Sequence, residues 1–76
     1  MTTLLKQSDN YMTHTHRGGG ASITRKSDNR SVFFQAGDDA SEWLNQIEAI
    51  EQEWPAHKQD YIFDICCGDY DHLIDG

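Results

Sequence analysis

The sequence predicts a small α+β fold: an antiparallel sheet of three or four strands with one amphipathic helix packed on one face, in ββαβ order. Three observations carry this. Residues 21–35 alternate apolar and polar side chains on either side of a turn-forming segment. Residues 39–54 repeat their apolar side chains at three- and four-residue steps. Residues 60–67 are apolar, β-branched and aromatic, a composition that favours a strand. With 76 residues the chain is one domain at most, since domains run from about 50 to 200 residues.

The elements follow in order. Residues 1–10 are polar apart from Leu4 and Leu5, and a frayed segment is expected there. Tyr11–His16 is rich in threonine and alternates, which suits an edge strand. Gly18, Gly19 and Gly20 interrupt it and predict a mobile loop, because glycine loses the most conformational entropy on ordering. In the 21–35 hairpin, Ser27, Asp28, Asn29 and Arg30 supply the turn; Asp and Asn accept left-handed and Asx-turn conformations. Ile23, Val32 and Phe34 are expected to face the core, with Phe33 on the opposite sheet face or in an interface.

Asp39 with Glu42 three residues later fits a helix capping box, with Asp38 as an alternative cap. Ala40, Trp43, Leu44, Ile47, Ile50 and Trp54 form one apolar stripe, so both tryptophans are expected in the core. Pro55 ends the helix, because the residue before proline disfavours the helical region. Tyr61, Phe63, Ile65 and Cys67 would share one face of the 60–67 strand. Residues 69–76 form a tail, with Tyr70, Leu73 and Ile74 at the spacing of a short helical turn.

Composition excludes much. There is no P-loop, nucleophile elbow or HExxH motif, and no apolar run near the roughly 18 residues of a membrane span. A chain this short has little volume for both a core and a sheltered pocket, so a non-enzymatic protein with no cofactor is expected. Residues 1–7 lack the apolar stretch of a signal peptide, which points to the cytoplasm. His14, His16, His72, Cys66 and Cys67 are zinc-ligand types. However, structural zinc favours cysteines spaced by two to four residues rather than adjacent, and no metal is expected. Asp69, Asp71 and Asp75 lack the glycine and final glutamate of a calcium loop.

Charge is the remaining signal. The chain carries 6 bases and 13 acids, for a net charge of −7. Residues 1–37 hold five bases against two acids, whereas residues 38–76 hold Lys58 alone against eleven acids. Such asymmetry is a property of the surface that a partner meets. Glu42 and Glu53 lie on one border of the helix's polar face, Glu48 and Glu51 on the other. Asp60, Asp64, Asp69, Asp71 and Asp75 follow in the last segment. Duplex DNA carries one charge per about 1.7 Å of axis, or about 14 over the length of a 16-residue helix. Eleven acids approach that density if they converge on one face. Charge alone leaves two readings open: a solvated acidic surface that keeps a small protein soluble, or a partner-binding surface, for which these nine named residues are the candidates.

The segment Ser31–Ala40, followed by an amphipathic helix, resembles one found in small proteins of bacteriophages and mobile elements. Length, acidity and compact α+β plan are similar to those of anti-CRISPR proteins. That group shares no common motif, so no residue role carries over. The resemblance implies a nucleic-acid mimic that blocks target DNA binding by a host CRISPR effector. A type I complex is favoured, at its duplex- or PAM-reading subunit. The protein itself would bind neither nucleic acid nor membrane. The alternative class is a small structural or regulatory domain that homodimerises through Phe33 or an edge strand, and a zinc module stands third.

Overall fold

The computed structural model describes residues 2–76. Four strands come first: β1 (Thr2–Gln7), β2 (Tyr11–His16), β3 (Ala21–Arg25) and β4 (Arg30–Phe34). Three helices follow: α1 (Asp38–Glu53), α2 (Ala56–Gly68) and α3 (Asp71–Asp75). The strands form one antiparallel sheet in the order β1-β2-β3-β4, a meander whose neighbours in sequence are neighbours in space.

The α+β class and the antiparallel sheet agree with the sequence reading; the ββαβ order and the single helix do not. Residues 60–67 belong to α2, not to a strand. Phe63 and Cys67 are buried and four residues apart, while Tyr61 and Ile65 are exposed. The strand propensity of Tyr61, Ile62 and Ile65 gives way to packing, as intrinsic propensities of under 1 kcal/mol per residue commonly do. Residues 2–7 form an ordered edge strand rather than a frayed end; Met1 lies outside the described residues. Tyr11–His16 is consequently an inner strand, not an edge.

Gly18 and Gly19 adopt φ of 95° and 100°, a region open to glycine at little cost. The turn they build is closed by His16 N–H to the Gly20 carbonyl (2.8 Å) and Gly19 N–H to the His16 carbonyl (3.1 Å). The connection is a hydrogen-bonded turn. Gly20 is required for a different reason: a Cβ there would sit 2.9 Å from the Phe33 ring and 3.0 Å from the Phe34 carbonyl oxygen. The β3–β4 turn places Asn29 at φ 59°, as Asn tolerates.

Register assigns the two faces. Tyr11, Thr13, Ala21, Ile23, Val32 and Phe34 point to the helices. A bulge between Leu4 and Lys6 turns Lys6 to this side, where Nζ reaches Gln59 Oε1 on α2 at 3.5 Å. The opposite face carries the cross-strand row Leu4–His14–Ser22–Phe33 and, beside it, Gln7–Met12–Thr24–Ser31. The helices leave this second face uncovered, and Phe33 is 55% exposed on it.

The core lies between the inner sheet face and the helices. Trp43, Phe63, Ile23, Ile47, Thr13 and Cys67 are fully buried. Tyr70 meets Trp43 (5.1 Å, 78°) and Phe34 (5.4 Å, 69°) edge-to-face, the arrangement that ring quadrupoles favour. Trp43 Nε1–H donates to Thr13 Oγ1 at 2.8 Å, and Thr13 Oγ1–H donates to the Ser22 carbonyl at 2.7 Å. Trp54 is not in the core: α1 stops at Glu53, and Trp54 turns extended (φ −114°, ψ 141°) before Pro55 and is 40% exposed. The pre-proline restriction takes it off the stripe. The α1 cap is Gly37, without a side-chain bond. Asp38 and Asp39 instead occupy the first turn, where the helix dipole favours them.

Candidate acidic interface

The structure divides the nine acids of the sequence-predicted surface into two groups. Asp64, Asp71 and Asp75 have partners inside the fold. Asp64 on α2 accepts from the Ser8 hydroxyl and from Asn10 Nδ2 (2.9 Å), tying the helix to the β1–β2 turn. Asp71 accepts from the Tyr11 hydroxyl at 2.7 Å and lies 3.4 Å from Arg25 Nη1. Asp75 pairs with Arg25 Nη2.

Arg25 is the hub of this corner. Its guanidinium also takes Asp28 in a two-pronged contact, so one cation from β3 gathers Asp28 from the hairpin turn and two carboxylates from α3. The Arg25 hydrogen bond is the main cause that lowers Asp28 to about 2 and also holds Asp75 below the usual range. Desolvation, followed by the bond to Asp71, raises Tyr11 to about 12. Arg25 thus ties the basic half of the chain to the acidic half, a role its place in the hairpin did not reveal.

Glu42, Glu48, Glu51, Glu53, Asp60 and Asp69 are different. All six are exposed, and among the described residues none is in an ion pair. Glu48 accepts only from Gln52 Nε2 at 3.0 Å, one turn along α1. Asp38 and Asp39, absent from the sequence-derived set, are exposed on the same helix. The signal that could have found them is their place in the first turn of the amphipathic segment.

Position along the helices separates these acids further. Asp38 and Asp39 sit at an N-terminus, where carboxylates stabilise a helix. Glu51 and Glu53 lie in the last turn of α1, which has no base, and Asp69 is the C-cap of α2, whose last turn also has none. At a C-terminus the dipole opposes a negative charge by about 0.3–1 kcal/mol when exposed. Glu51 and Glu53 therefore stand where the local physics of stability prefers Lys or Arg, whereas Asp69 also precedes Tyr70, the N-cap of α3, where the dipole favours a carboxylate.

Other candidate chemistry is dispersed. His14 and His16 lie on the uncovered sheet face, His16 sharing a 2.9 Å hydrogen bond with Ser22 Oγ. Cys66, Cys67 and His72 belong to α2 and α3. Among the described residues no three His, Cys, Asp or Glu side chains gather as a metal site. Both cysteines are free thiols, and burial pushes both upward, Cys67 more strongly. An open cleft of about 330 Å³ is lined by Tyr11, Arg25, Tyr61, Asp64 and Ile65 among others. Its charged groups are the ones already engaged by Asp28, Asp71, Asp75, Ser8 and Asn10. Among the described residues no helix is long and apolar enough to cross a membrane. No protein-family model, curated protein or solved structure matches this chain.

Proposed function

We propose that the helical layer is an acidic docking surface that occupies a nucleic-acid-binding site on a partner protein. The observation that supports this reading most is the placement of Glu51 and Glu53 in the last turn of α1 without a compensating base. A sequence that breaks a local stability rule with no gain inside the fold marks a surface kept for another purpose. Glu42, Glu48, Asp60, Asp38 and Asp39 extend the same negative surface. Asp64, Asp71 and Asp75 keep it in shape through Ser8, Asn10, Tyr11 and Arg25.

The mechanism is displacement. Lysines and arginines that hold phosphates accept carboxylates in the same positions, and the protein competes with DNA for them. Each exposed pair contributes only about 0–1 kcal/mol, so affinity comes from many pairs and from steering. A type I CRISPR effector, at its duplex- or PAM-reading subunit, is the partner proposed, and the protein is a non-enzymatic inhibitor from a phage or mobile element.

The test is competition between this protein and target DNA for purified effector at about 50 and 200 mM salt. Mutual exclusion, weaker at the higher salt, supports displacement. A ternary complex with undiminished DNA affinity refutes it.

A further inference from the structure

The uncovered face of the sheet calls for an explanation of its own. Its two central rows, Leu4–His14–Ser22–Phe33 and Gln7–Met12–Thr24–Ser31, contain no Asp, Glu, Lys or Arg. In a chain with 13 acids among 76 residues, a stretch across four strands without a carboxylate stands apart from the acidic helical layer behind it. Lys26, whose Nζ donates to Gln7 Oε1 at 3.0 Å, brings a cation to one end of it. Phe33 and Leu4, 55% and 45% exposed, sit at opposite ends of one row. The Phe33 ring is held in place: it stacks edge-on against His16 (5.0 Å, 73°) and covers Gly20. It is an anchored apolar group facing outward, of the kind that anchors interfaces.

We infer that this face receives a second copy of the chain, two sheets packing face to face with their helical layers outward. Charge selects the occupant's orientation. A contact through the helical layers would set the exposed carboxylates Glu42, Glu48, Glu51, Glu53, Asp60 and Asp69, none of them ion-paired among the described residues, against their own image. The sheet face is the surface across which two molecules of net charge −7 can meet without opposing carboxylates. Symmetry makes the row self-complementary. A two-fold axis running along the strands between β2 and β3 exchanges β1 with β4 and β2 with β3. Leu4 of one copy then lies over Phe33 of the other, as an isologous contact requires, while Ser22 between them is buried beneath its own His16.

Size sets the strength. Four strands about 4.8 Å apart and five or six residues long cover roughly 350 Å² in projection, against about 800 Å² per partner in a standard stable interface. The dimer is therefore weak and in fast exchange, and it forms at high protein concentration. It rests on the sheet face alone and is independent of the role proposed for the helical layer.

Sedimentation equilibrium of the whole protein, from about 10 µM to 1 mM, reads this directly, since that range spans the dissociation constants of weak interfaces. The weight-average mass is expected to rise from 8.7 kDa toward twice that value. Phe33→Lys and, separately, Leu4→Lys are expected to hold it at the monomer mass throughout. The Leu4 variant matters because Phe33 also packs on Gly20. Glu48→Lys on α1 is expected to leave the association in place. A constant mass of 8.7 kDa to the top of the range, an association that survives both lysine variants, or one abolished by Glu48→Lys, overturns the inference.

Discussion

Thr13 offers the sharpest test of how the two layers are joined. Its hydroxyl is fully buried, accepts from Trp43 Nε1–H at 2.8 Å and donates to the Ser22 carbonyl at 2.7 Å. Thr13→Val keeps the shape and removes both bonds. The indole N–H, inside a ring that is 0% exposed, then has no partner in a water-free environment. An orphaned buried donor costs about 1–3 kcal/mol. For a domain of this size 1 kcal/mol lowers Tm by about 4–8 °C, so a fall on the order of 10 °C is expected. Trp43→Phe removes the donor itself and some volume. In that background Thr13→Val has less to lose, and the double-mutant cycle should show a coupling of about 1–2 kcal/mol. Thr13→Ser, which keeps the hydroxyl, should lie closer to the parent. Thermal melts followed by far-UV circular dichroism read the change in Tm, and urea denaturation followed the same way supplies the free-energy differences for the cycle. If Thr13→Val melts like the parent, or the two changes add within about 0.5 kcal/mol, the hydrogen-bond relay is not what couples helix α1 to the sheet.

Other consequences are equally open to measurement. Asp28, lowered to about 2 from 3.8, and Asp75, lowered by the same arginine, stabilise the fold above their unfolded values. That contribution is lost as pH falls from about 4 toward 2. Arg25→Gln should flatten this acid limb in pH-dependent melts. Tyr11, raised to about 12 from 10.0 mainly by desolvation, acts in the other direction: its contribution is present below pH 10 and lost as pH rises toward 12. Tyr11→Phe should remove that component of the alkaline limb. Native protein should react slowly with a thiol reagent near pH 8, Cys67 more slowly than Cys66, because burial raises both thiols. Two equivalents should be released on denaturation. Asp69→Lys with Asp71→Lys should disturb the fold, since Asp71 holds Tyr11 and faces Arg25. A variant that melts like the parent would remove Asp71 from the framework.

Much of this architecture is legible in residue order, and the misreadings have identifiable causes. The hairpin at 21–35 and the helix from 38 to 53 announce themselves because each shows a single period, two in one case and 3.6 in the other. The segment 60–67 shows both. Tyr61, Phe63, Ile65 and Cys67 alternate, yet Gln59, Ile62, Phe63, Cys66, Cys67 and Tyr70 also fall at steps of three and one, and these are the positions turned inward. Once four strands have been used in the sheet, the helical period is the one that finds a partner in Trp43 and Tyr11. The apolar stripe runs on through Trp54 in the sequence, but Pro55 takes that residue out of the helix. The acids stand out in the sequence as a set. Which of them the fold consumes was hidden, because the bonds from Ser8, Asn10, Tyr11 and Arg25 span 50 or more residues.

The conflict at the helix ends yields a final prediction in which stability and binding move in opposite directions. Replacing Glu51 and Glu53 by Gln removes two charges from the C-terminal turn of α1. No ion pair is lost with them among the described residues. The dipole penalty of about 0.3–1 kcal/mol per charge is relieved, so Tm should rise by a few degrees. The same change takes two carboxylates from the surface proposed to meet a basic partner. Competition with target DNA should weaken, and the dependence of that competition on salt should become shallower, since fewer phosphate-like contacts are made. A purely solubilising surface predicts another outcome: higher stability with unchanged competition. A structural role for the two glutamates predicts a lower Tm. Thermal melts and competition measured on one double variant separate the three, and only a rise in Tm with a loss of competition fits a surface on which binding has overruled helix stability.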